Sequence, residues 1–157
     1  GTLSLGYKKL MPRWVARKGF SGVVGNTSLD LRIRRFGFRV VYERDCSFSY
    51  WTDSIFFLED RYGTGISIYP ARFLRLDYDF TYARGSYPES IAIRLPDESY
   101  QEIKRKDSYR IHTAGVVIRL VRNTGAGIRI FYWERDSNIS WVGRERWVIG
   151  GFLTYDF

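Results

Sequence analysis

Along the stretch FLRLDYDFTYARG at 73–85 the chain alternates with a period of two. Leu74, Leu76, Tyr78, Phe80 and Tyr82 fall on one face, and Arg75, Asp77, Asp79 and Thr81 on the other. A strand points successive side chains to opposite sides, so one face is apolar and aromatic and the other charged. The same alternation recurs along the chain. It sets Leu3, Leu5 and Tyr7, then Leu29, Leu31 and Ile33, then Phe38, Val40 and Tyr42, then Tyr62, Thr64, Ile66 and Ile68 against polar or small neighbours. It continues through Ala114, Val116, Ile118 and Leu120, then Ile128, Ile130 and Tyr132. The last segment sets Trp147, Ile149, Gly151, Leu153, Tyr155 and Phe157 against Arg146, Val148, Gly150, Phe152, Thr154 and Asp156. These runs predict about eight strands in a single domain over residues 1–157, with no amphipathic helix of useful length.

The predicted connections are unequal in a regular way. Strands two and three meet at Arg34-Arg35, four and five at Pro70-Ala71-Arg72, and six and seven around Arg122-Asn123-Thr124-Gly125, where Asn and Gly suit a tight turn. The other connections are expected to be long, at 11–26, 46–60, 84–107 and 136–145. Short turns at one end and long loops at the other, with an even strand count, is the layout of an antiparallel up-and-down transmembrane β-barrel.

Composition narrows this picture. The chain has 157 residues, 45% of them hydrophobic, which is too apolar for disorder. Its mean hydropathy of −0.30 and the lack of any run near the ~20 apolar residues a spanning helix needs exclude a helical membrane protein. Membrane strands need only about 10 residues, half of them facing a polar interior, so a barrel stays open. A lone cysteine, Cys46, excludes an internal disulfide and a Cys-based metal site. The chain opens inside an alternating pattern, as though its true start lay upstream.

Which face is wet follows from three features. The polar face carries Arg32, Arg39, Glu43, Arg75, Asp77, Asp79, Arg119 and Arg129, both signs mixed, as suits pairing across a wet lumen. Glycines (Gly63, Gly65, Gly115, Gly127, Gly150) share that face. Aromatics gather near strand ends, where amphipathic rings favour a bilayer interface. The expected lumen-lining set is therefore those eight charged residues. The expected membrane-facing set is Leu74, Leu76, Tyr78, Phe80, Tyr82, Trp147, Ile149, Leu153, Tyr155 and Phe157. The competing reading is a soluble lipocalin-like barrel with the aromatics as its core.

The alternating final strand ending in Phe157 resembles the signal read by the barrel-assembly machinery of the bacterial outer membrane. FLRLDYDFTYARG at 73–85, YWERDSN at 132–138 and GGFLTYDF at 150–157 resemble the C-terminal part of the exopolysaccharide-export β-barrel porins of Gram-negative bacteria. The resemblance covers roughly the last 90 residues. It implies an outer-membrane location and porin-like passage or export of solute, with polysaccharide as the expected cargo and with lipid, lipopolysaccharide and the assembly machinery as partners. Members of that family have about sixteen strands, so the chain is expected to be either a small complete barrel or the C-terminal part of a larger one. Eight strands enclose a filled interior and sixteen a channel. The alternative of a non-conducting barrel, whose long loops bind an envelope protein or surface glycan, stays open.

Chemistry adds little. His112 is the sole histidine, and Ser108 shares its face at about 13 Å along the strand, too far for a nucleophile and its base. Asp77 and Asp79 are expected to pair with Arg75 rather than perform acid–base work. No enzyme activity, cofactor or metal is expected. Net charge is +8, with 25 Lys+Arg against 17 Asp+Glu. Basic positions in the predicted loops (Arg13, Arg17, Lys18, Lys104, Arg105, Lys106, Arg144, Arg146) would attract any polyanion. In the strands the aromatics lie opposite the charges, so no stacking groove for nucleic acid is expected. The anion is expected to be lipopolysaccharide phosphate or an acidic glycan.

Overall fold

The computed structural model describes residues 1–11, 19–49, 54–94, 98–121 and 123–155. Eight strands follow one another: β1 (Thr2–Leu10), β2 (Phe20–Ile33), β3 (Phe36–Phe48), β4 (Phe56–Ala71), β5 (Leu74–Arg94), β6 (Tyr100–Val121), β7 (Thr124–Ser137) and β8 (Arg144–Tyr155). A 3-10 turn, Ser140–Val142, lies between β7 and β8. Each strand pairs antiparallel with its neighbours in the order β1-β2-β3-β4-β5-β6-β7-β8. This is the up-and-down meander that the alternation predicts.

The sheet curls towards its charged face. Asp30 and Arg32 on β2 line the same recess as Arg129 on β7. Five strand intervals would put them about 24 Å apart in a flat sheet. Lys8 on β1 likewise reaches past β2 to Asp45 on β3, at 2.8 Å. The curl does not end in a ring, however. β1 and β8 share no ladder, so the expected closed barrel is not formed and one edge of each strand is left open. Closure needs strand tilt and register stagger that bring the first and last strands into hydrogen-bonding contact, and period-two patterning says nothing about either.

The turns at one end agree with the sequence. Ile33 pairs with Phe36 across Arg34-Arg35, and Arg34 takes a left-handed φ of 51° to make the tight reversal. Ala71 pairs with Leu74 across Arg72-Phe73, one residue later than predicted, because a register shift between Ile68 and Ala71 takes in Pro70. At the other end the long loops are largely strand. β3 runs to Phe48, β4 starts at Phe56, and β5 and β6 extend as a hairpin to Arg94 and Tyr100, well inside the predicted 84–107 loop. Polar and charged residues outnumber apolar ones such as Ile91, Ile93 and Ile103 in this extension, and a bulge interrupts it, so its period-two signal is weak. Pro88 is accommodated in a bulge between Ser86 and Ser90, where the ladder does not call for its missing N–H.

The buried groups are off-centre. Cys46, Phe56, Ala83, Tyr87, Ile139 and Val142, with Ser54, Arg105 and Asp107, all sit towards the long-loop end. The broad middle of the sheet buries no large side chain among the described residues. The accessible surface is 11618 Å², against about 8,200 Å² for an ordinary folded monomer of this mass. Both faces of the sheet are therefore open to their surroundings.

Candidate functional site: two faces of one sheet

The register gathers the apolar positions into one continuous band. Leu31 lies opposite Phe38, Phe38 opposite Ile66, Ile66 opposite Tyr78, Tyr78 opposite Ala114, Ala114 opposite Ile130 and Ile130 opposite Ile149. One row thus crosses seven strands. Most of its side chains are exposed, Leu31 by 52% and Ile149 by 72%, while Ile66 is half-buried. The expected membrane-facing residues lie in this band. Leu74, Leu76, Phe80 and Tyr82 are half-buried between neighbours, while Tyr78, Trp147, Ile149, Leu153 and Tyr155 are exposed. Phe157 lies outside the described residues.

A row of aromatics bounds the band towards the long-loop end. Tyr42, Tyr62 and Tyr82 are directly opposed on β3, β4 and β5, with the Tyr42 and Tyr62 rings 5.1 Å apart. His112, Tyr132 and Trp147 are likewise opposed on β6, β7 and β8, in the row of Phe80, two residues nearer the short turns, and the last two rings are 4.4 Å apart. Just beyond runs a charged row in which Arg44 pairs with Asp60, and Arg110 with Asp136 and Glu134. The tyrosine hydroxyls join the two rows. Tyr42 donates to Asp60 at 3.0 Å, Tyr132 donates to Glu145 at 3.4 Å, and Tyr82 accepts from Arg84 at 2.9 Å. Each ring therefore faces apolar neighbours while its hydroxyl meets charge, the amphipathic arrangement suited to an interface. Along β8 the band runs from Trp147 to Tyr155, about 27 Å of strand, or about 21 Å in height at a 40° tilt.

The opposite, concave face is charged. Six of the eight expected lumen residues, Arg32, Arg39, Arg75, Asp77, Asp79 and Arg129, line one recess of ≈ 330 Å³. Arg119 joins Arg75 in an adjoining recess of ≈ 180 Å³. Glu43 lies apart, paired with Arg61 at 3.2 Å. Within the larger recess Arg39 donates to Asp30 at 2.8 Å, and Arg75 to Asp77 at 2.8 Å. The second Asp77 oxygen accepts from the Ser67 hydroxyl at 2.7 Å. Asp77 and Arg129 sit on either side of Gly115, whose missing side chain opens the space between them. Among the described residues no cluster of His, Cys, Asp or Glu could hold a metal ion.

His112 keeps company with aromatics. Its Nδ1 hydrogen-bonds the Tyr78 hydroxyl at 2.9 Å, and its ring lies 4.9 Å from that of Phe80. Cys46 is 2% exposed, and burial pushes its thiol up, so little reactive thiolate forms at neutral pH.

Sequence reasoning missed the buried cluster at the long-loop end. Arg105, expected as a loop cation, is a β6 residue 4% exposed and clamped to Asp107 at 2.5 Å. The Tyr87 and Tyr109 hydroxyls each donate to Asp107 at 3.2 Å, and the Arg105 guanidinium lies 4.5 Å from the Tyr87 ring centre. Burial opposes the Asp107 charge, but bonds from Arg105 and the Ser137 hydroxyl hold its carboxyl below the usual range. The signal that could have found this cluster is the spacing of Arg105, Asp107 and Tyr109 at every second position, all on the concave side. Lys104 and Lys106 are strand residues too, and Arg144 and Arg146 open β8. Arg13, Arg17 and Lys18 lie outside the described residues.

Compared with known proteins, the chain matches no family model, no curated protein and no solved structure closely enough to infer kinship.

Proposed function

We propose that this sheet is the wall of an outer-membrane β-barrel whose concave face conducts polar solute, porin-like. The observation that carries the reading is the division of one sheet into a bare apolar band, edged by tyrosines bonded to a charged row, and a charged concave face. Hydrocarbon rewards the first surface and water the second. The reading requires the open edges of β1 and β8 to be paired in the membrane, because an unpaired sheet edge in lipid costs several kcal/mol per polar group. Lipid and lipopolysaccharide would contact the band, the assembly machinery would dock the C-terminal strand, and the family resemblance makes polysaccharide the candidate cargo. No catalytic role is proposed.

Reconstitution into liposomes tests this directly. Protein that folds into the bilayer should make liposomes swell in an isosmotic sugar and should raise bilayer conductance. Bilayer-inserted, protease-resistant protein that passes neither sugar nor ions would instead identify a non-conducting barrel acting through its long loops. Protein that stays monomeric without detergent would sink the membrane assignment itself.

A further inference from the structure

The charges of the concave face do not cancel where the two recesses adjoin. Six arginines (Arg32, Arg39, Arg72, Arg75, Arg119, Arg129) line them against three aspartates (Asp30, Asp77, Asp79). Two of those aspartates are committed, Asp30 to Arg39 and Asp77 to Arg75. Arg32, Arg119 and Arg129 form no ion pair among the described residues. Two of the three are held by rings instead. The Arg32 guanidinium stands 4.6 Å from the Tyr69 ring centre, and that of Arg129 stands 5.0 Å from the Phe152 ring centre. An aromatic backing fixes a guanidinium without consuming its N–H donors, which stay free to fork onto a carboxylate or phosphate. The recesses share Arg75 and Tyr69 and so adjoin, with Arg32 and Arg129 lining the larger and Arg119 the smaller.

We propose that Arg32, Arg119 and Arg129 form an anion-binding site that makes the concave face select solutes bearing carboxylate or phosphate groups. The proposal rests on the concave face being a solute path, and it adds the sign of charge that path prefers. Six arginines against three aspartates leave the paired recesses with an excess of three positive charges, and an electropositive recess raises the local concentration of anions. A phosphate-bearing and a carboxylate-bearing solute would use the same three cations.

The test uses the full chain in planar bilayers under a KCl gradient, with calorimetry on the same protein in neutral detergent. Zero-current potentials should show chloride favoured over potassium. The triple variant R32Q/R119Q/R129Q should abolish that preference, and R32K/R119K/R129K should retain most of it. Arg84→Gln, on the opposite face, should change nothing. Tripolyphosphate and trigalacturonate should each bind the parent protein and lose on the order of tenfold in affinity in the glutamine triple variant, while maltotriose should bind neither. Cation selectivity in the parent protein, or equal anion selectivity in the glutamine variant, overturns the proposal. If no channel forms, the passage reading fails and calorimetry decides the site alone. Tripolyphosphate binding lost in the glutamine variant upholds the site, and equal or absent binding overturns it.

Discussion

Asp79 folds its carboxylate over Gly65, the residue directly opposite it on β4, so closely that a Cβ on residue 65 would collide with Asp79 Oδ1. Arg39 lies on the far side of the same glycine, opposite it on β3. The missing side chain thus lets a β5 carboxylate lean towards a β3 guanidinium across the strand between them. Gly65→Ala should displace the Asp79 carboxylate, and because that carboxylate can swing into the open recess the cost should stay below about 1 kcal/mol. Gly150→Ala is the matched control, because its new Cβ would meet nothing within 4 Å. That change should be neutral, or stabilise by about 0.4–1 kcal/mol through the unfolded chain. Urea unfolding of both variants compares them, and equal midpoints would remove any packing role from Gly65.

Much of this arrangement is legible in the sequence. Alternation through Leu74–Tyr82 and Trp147–Tyr155 assigns the faces, and the Arg32–Arg129 set does gather on one concave surface. Closure is not legible. Whether β1 meets β8 depends on tilt and stagger, which leave no mark on hydropathy. The extension of β5 and β6 beyond Arg84 and Arg110 is hidden for another reason. There a bulge at Tyr87–Glu89 interrupts the register, and charged residues outnumber the few apolar ones (Ile91, Ile93, Ile103), so the pattern reads as loop. The buried Arg105–Asp107 pair is hidden by its composition, since charged residues are rarely buried unless paired. Only the fold shows that each is the other's partner.

The orientation of the sheet should be visible by fluorescence. Trp147 lies on the apolar band and is 65% exposed, whereas Trp133 is on the concave face beside Arg135. In single-tryptophan variants reconstituted into bilayers, lipids brominated on the acyl chain should quench Trp147 strongly. Iodide in the aqueous phase should be the better quencher of Trp133. The reverse pattern would mean that the charged face meets lipid and the apolar face is covered by protein.

Adjacent residues on β8 should respond oppositely to charge. Ile149 lies in the band opposite Ile130, a quarter of the way from Trp147 to Tyr155, and Val148 points to the concave side opposite Phe131. Ile149→Lys should cost about 1–3 kcal/mol of folding stability in a bilayer, between the depth-dependent penalties at the interface and at the midplane. Val148→Lys should stay within about 0.5 kcal/mol, as expected of a solvated surface position. Heat-modifiable electrophoretic mobility across a urea series measures both. Equal penalties would mean that the two faces experience the same medium.

Acid should act first on the cluster at the long-loop end. The Asp107 carboxyl is held below its unfolded value of about 3.9 by Arg105 and the Ser137 hydroxyl, against the cost of its burial. A depressed carboxyl pKa contributes stability that is complete above the unfolded value and is lost as pH falls through the folded one. From neutral pH to about 4 the outer β5–β6 hairpin should therefore keep its protection, and below that it should open before the central ladders do. Asp107→Asn removes the acid step and takes away the carboxylate that clamps Arg105, itself 4% exposed. At neutral pH that should cost about 3–5 kcal/mol, the penalty for breaking a buried pair from one side. Hydrogen exchange of the Tyr100–Tyr109 amides between pH 7 and pH 3, corrected for intrinsic rates, follows the opening locally. An unchanged acid profile in Asp107→Asn would show that some other carboxylate governs this end of the sheet.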